Sequence, residues 1–119
     1  MMLTNQGDAF APQNQAGMCQ VFMSGAALGL TTPGTSVLLA SGGYTKMALG
    51  ATSSATGSLS IQRYLDPAGT IAQGAALSQA LTAATPGVLN VTDGLPFASF
   101  TVTISGGTLS NVGLLFQAQ

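Results

Sequence analysis

Histidine, glutamate and tryptophan are absent from this 119-residue chain, and only five side chains carry a full charge: Asp8, Lys46, Arg63, Asp66 and Asp93. Each absence closes a class of chemistry. Without histidine, a serine or cysteine nucleophile lacks its usual base. A lone lysine among 11 serines reads as a solvated or subunit-facing charge. Glycosidic cleavage needs two carboxylates facing across a sugar, whereas Asp66 and Asp93 sit in the turn-forming tetrapeptides Asp66-Pro67-Ala68-Gly69 and Asp93-Gly94-Leu95-Pro96. One cysteine and three dispersed aspartates supply no dedicated zinc or calcium site. Ser41-Gly42-Gly43 and Ser105-Gly106-Gly107 lack the lysine and glycine spacing of phosphate or dinucleotide cradles and read as turns. The sequence therefore points away from an enzyme and implies no cofactor.

Scarcity of charge also limits partners. Two basic side chains neutralise too few phosphates for nucleic-acid binding. The mean hydropathy of +0.45 invites a membrane reading. However, Gln20, Ser24, Thr31, Thr32, Pro33, Thr35 and Ser36 interrupt the apolar runs between Asp8 and Lys46, and a helical span needs ~20 predominantly apolar residues. The single Cys19 excludes an internal disulfide, and its apolar neighbours mark it as a small hydrophobe. The first residues lack the basic and apolar regions of a secretory signal, so synthesis and retention in the cytoplasm are expected.

What the chain has is small and uncharged: 18 Ala, 16 Gly, 14 Thr and 11 Ser make up about half of it. Residues 1–17 show no sustained period and read as an extended arm, with a β-domain over 18–119. In Phe100-Thr101-Val102-Thr103-Ile104, alternation places Phe100, Val102 and Ile104 on one face. Val112, Leu114 and Phe116 share a face in the next run, and Gly106-Gly107 between the two predicts a C-terminal hairpin. In Ser58–Leu65 the same alternation turns Leu59, Ile61 and Leu65 inward, with Arg63 as the exception where the strand leaves the core.

Weaker strands are predicted over 18–23, 37–40, 44–49, 71–72 and 88–91. Residues 75–81 suit a short helix or an irregular strand equally. The predicted core comprises Leu59, Ile61, Val91, Phe100, Val102, Ile104, Leu114 and Phe116, and the fold class is all-β: a single β-sandwich or jelly-roll-like domain with an extended N-terminal arm.

A chain with so little charge is expected to seek partners, because its Thr, Ser, Gln and Ala surfaces can be covered without stripping water from ions. The segments Ser58–Thr70, Leu81–Pro86 and Asp93–Ile104 resemble small virion proteins of tailed bacteriophages. That resemblance implies a capsid decoration, or cement, protein: a β-rich module, commonly a homotrimer, that sits on the outer capsid surface and bridges major capsid protein subunits. The family has no catalytic residues to carry over. The arm and exposed strand edges are the expected contacts, with Leu3, Phe10, Pro12, Gln13 and Gln15 as candidate capsid or subunit contacts. Alternatives are a tail or fibre-associated receptor-binding module and an ice- or surface-binding β-protein.

Overall fold

A computed structural model of the protein describes residues 20–117. The predicted arm, residues 1–17, lies outside the described residues, as does Cys19. Among the described residues, nine strands and one short helix follow in order: β1 (Gln20–Ser24), α1 (Gly25–Leu28), β2 (Gly34–Thr35), β3 (Leu39–Ala40), β4 (Lys46–Ser53), β5 (Gly57–Tyr64), β6 (Leu77–Leu81), β7 (Gly87–Val91), β8 (Ser99–Ser105) and β9 (Leu109–Gln117).

Two antiparallel sheets pack face to face. One has the order β1-β9-β4-β7, and the other β2-β8-β5-β6, with β3 also pairing with β8. Strict alternation decides which side chains meet between them. In β4, Met47, Leu49, Ala51 and Ser53 point inward, and in β5, Leu59, Ile61 and Arg63 do. All eight predicted core residues are buried, joined by Leu28, Leu30, Met47, Leu49, Leu81 and Leu89. Edge-to-face aromatic contacts run through the core, from Tyr44 to Phe116 (5.7 Å between centroids), to Phe100 (5.5 Å) and to Phe97 (5.8 Å).

The predicted C-terminal hairpin does not form. β8 pairs with β5, whereas β9 pairs with β1 and β4 in the other sheet, so Gly106-Gly107 crosses between sheets. The cause lies 54 residues upstream, where the Ser53 hydroxyl accepts from the Gly107 amide (2.8 Å) and the Ser54 hydroxyl from the Thr108 amide (2.8 Å). Gly106 has a φ of +148°, and a Cβ there would strike the Ser53 hydroxyl, so the crossing requires glycine.

Residues 77–81 resolve as strand β6, settling the open choice against a helix. The predicted strand at 71–72 is only a single bridge between Ala72 and Tyr64, and that at 37–40 shortens to Leu39–Ala40. Arg63 and Leu65 exchange the expected roles: Arg63 is 6% exposed and Leu65 56%. Among the described residues, no helix is long and apolar enough to cross a membrane.

Candidate interaction surfaces

The outward side of the four-stranded sheet is read directly from its register. One cross-strand row is Phe22-Leu115-Ala48-Asn90; its neighbours are Ser24-Gly113-Gly50-Val88 and Gln20-Gln117-Lys46. Lys46 is the one charged residue in these rows. Phe22 is 66% exposed and its ring lies across Gly113, where a Cβ would approach it to 2.6 Å. Across β9, β4 and β7 the same face carries a hollow of about 170 Å³, bordered by Lys46, Ala48, Asn90, Thr92, Leu115 and Gln117.

The outward side of the other sheet carries hydroxyls. Ser58 lies opposite Ser105, Ser60 opposite Thr103, and Gln62 opposite Thr101. Two hydroxyl pairs form on it, Ser58 with Ser105 and Thr35 with Thr103, each 3.0 Å apart, and the Gln62 amide donates to the carbonyls of Arg63 (2.9 Å) and Gly74 (3.1 Å). The edge strands β1, β2, β3, β6 and β7 contain neither proline nor a charged side chain. Natural sheets usually guard free edges with one or the other.

A third surface is the end of the sandwich where β5 and β7 finish and β8 begins. Leu65, Ile71 and Leu95 stand exposed on its loops, and a hollow of about 320 Å³ opens beside Leu65, Pro96, Phe97 and Ala98. These loops are braced. The Asp66 carboxylate accepts from the Thr70 hydroxyl and from the amides of Thr70 (2.9 Å) and Ile71 (2.8 Å), while the Ser99 hydroxyl donates to the Asp66 carbonyl (2.6 Å). The hydroxyl of Thr70, and then the Ile71 amide, hold the Asp66 carboxyl below its ordinary range.

Arg63, pointing inward from β5, reaches across to the loop after β7 and donates to both oxygens of Asp93, each at 2.8 Å. Its guanidinium lies 5.8 Å from the centre of the Phe97 ring. Asp93 also accepts from the Leu95 amide (3.1 Å). The Arg63 hydrogen bonds, outweighing partial burial, lower the Asp93 pKa. The pair therefore ties the sheets together directly beneath the exposed leucines. Sequence reading identifies Asp66 and Asp93 as turn formers, which they are, but not Arg63 as the partner of Asp93; a basic residue at an inward position of an alternating strand was the available signal.

Both described carboxylates are thus occupied in shaping loops, and no group of three His, Cys, Asp or Glu side chains gathers among the described residues. The candidate contacts Leu3, Phe10, Pro12, Gln13 and Gln15 lie outside the described residues. No family model, curated protein or solved structure matches the chain.

Proposed function

We propose that the protein is a structural component of a bacteriophage virion, a capsid decoration protein that binds the outer capsid surface and stabilises the lattice by bridging major capsid subunits. The observation that carries this reading is the rigid apolar end: exposed Leu65 and Leu95 are held on loops braced by the Asp66 turn and the Arg63–Asp93 pair. Bracing lowers the entropy lost on docking, so a small apolar contact retains more of its binding energy. The resemblance of the 58–70 and 93–104 segments to virion proteins supplies the setting.

A component that binds only the assembled lattice stabilises that state by mass action, and repeated copies on a symmetric shell add avidity. The arm supplies a second anchor in this scheme. The test is co-sedimentation with expanded phage heads of the protein and of two variants. Leu65→Asp combined with Leu95→Asp should leave the sandwich folded and reduce bound copies at least tenfold, and deletion of residues 1–15 should reduce them too. Heads that bind no wild-type protein, or that bind the double variant equally well, would contradict the reading.

A further inference from the structure

We propose that the Asp93-Gly94 link is a modification site, where aspartate converts spontaneously to isoaspartate through a succinimide, and that Arg63 is the positioning residue that holds this reaction shut in the folded chain. The link has the features the chemistry needs. Gly94 carries no side chain to hinder its amide, adopts a φ of +69°, and lies where an added Cβ would meet nothing within 4 Å. The Asp93 side chain is 39% exposed, so water reaches it. Asp66 differs, because Pro67 follows it and a proline nitrogen has no hydrogen to lose.

The step is a cyclisation. The Gly94 nitrogen bonds to the Asp93 Cγ, and the carboxyl OH leaves with the amide hydrogen as water. Water then opens the ring at either carbonyl. Opening at the side-chain carbonyl restores aspartate. Opening at the main-chain carbonyl leaves the chain running through Cβ and Cγ, which is isoaspartate. The neutral carboxyl is the reactive form, since a carboxylate offers no leaving group.

Arg63 opposes both requirements. Its guanidinium donates to Oδ1 and Oδ2, each at 2.8 Å, and the Leu95 amide donates to Oδ1 at 3.1 Å. Ring closure moves both oxygens and expels one of them, so these charge-assisted bonds must break first. The same bonds hold the carboxyl below its ordinary range and so in its unreactive form. The guanidinium has little freedom to follow: Arg63 is buried, packs 5.8 Å from the centre of the Phe97 ring, and its main-chain carbonyl accepts from the Gln73 amide (2.8 Å) and the Gln62 side-chain amide (2.9 Å). Conversion would insert a carbon into the main chain just before Leu95 and displace the anion that Arg63 holds. The proposal is independent of what this end of the sandwich binds, so failure of head binding leaves it standing.

The experiment incubates the purified full chain for several weeks at physiological temperature and mildly acidic pH. Isoaspartate at position 93 is measured by mass spectrometry of peptides cut with a protease that cleaves before aspartate but not before isoaspartate. Native wild type should convert about tenfold or more slowly than the same chain unfolded in urea, because the Arg63 bonds add to the barrier. Arg63→Met, confirmed as folded by circular dichroism, should approach the unfolded rate. Arg63→Lys keeps a cation but not the bidentate fork and should fall between. Asp66→Asn loosens the neighbouring turn without touching the Arg63–Asp93 pair and should stay as slow as wild type. In wild type, position 66 should remain aspartate throughout. Native wild type converting as fast as the unfolded chain, folded Arg63 variants as slow as wild type, or an Asp66→Asn rate raised as far as that of Arg63→Met would overturn the proposal.

Discussion

On the five-stranded sheet the residues facing away from the core include Ser58, Ser60, Thr101, Thr103 and Ser105; on the four-stranded sheet the corresponding positions hold Phe22, Ala48, Gly50, Gly113 and Leu115. Both surfaces lack acidic groups, yet they treat water differently. Two hydroxyl pairs on the first lie 3.0 Å apart and keep lone pairs for solvent. Apolar and glycine positions on the second offer water no side-chain partner, while Gln20, Ser24, Lys46, Asn90 and Gln117 in the same rows do. Low charge is therefore reached in two ways: through hydroxyls on one face, and through small and apolar side chains around a single lysine on the other.

Removing what the faces share has the largest expected effect. Phe100, from the hydroxyl-faced sheet, is fully buried against Phe116 from the other. Phe100→Ala should reduce stability by about 3–5 kcal/mol in denaturant unfolding, abolishing both faces together.

Next comes the tie between the sheets. Asp93→Asn leaves Arg63 buried without its anion, and should cost about 2–3 kcal/mol, a value reduced for the solvent access of Asp93. Arg63→Met added to Asp93→Asn should recover most of that loss. If the single change has no effect, the pair does not couple the sheets.

Acid should act on the same end of the sandwich. Asp66 and Asp93 titrate below their ordinary value of 3.8 in the folded protein. Their contribution is fully present above the unfolded value and is lost as pH falls through the lowered folded values. Stability from these groups should thus be flat above about pH 5 and decline below about pH 4. Thermal melts across that range check the sign, and Asp66→Asn should flatten part of the decline.

The smallest effect sharpens the contrast most. Thr103→Val removes the Thr35 hydrogen bond and should change stability by about 1 kcal/mol or less. It should not alter head binding.

Much of the architecture was legible because alternation is a local signal. Phe100, Val102 and Ile104 are all inward as read, and so are Leu59 and Ile61. What escaped depends on residues distant in sequence. Alternation continued through Arg63, but its inward position is tolerable only because Asp93 arrives from a loop 30 residues away. Leu65 would follow the same period had the Asp66 turn not ended the strand and swung it outward. Gly106-Gly107 carries a hairpin signal that the Ser53 and Ser54 hydroxyls override by drawing the chain to the opposite sheet. The outward row of the four-stranded sheet was hidden for a related reason: Phe22, Ala48, Asn90 and Leu115 come from four separate strands, and only their register brings them together.

Electron cryo-microscopy of expanded heads incubated with the protein tests the central claim most directly. The account predicts ordered density on the outer shell at fixed lattice positions, with the Leu65–Leu95 end of the sandwich against the capsid subunits. Heads that remain bare at saturating protein would contradict it.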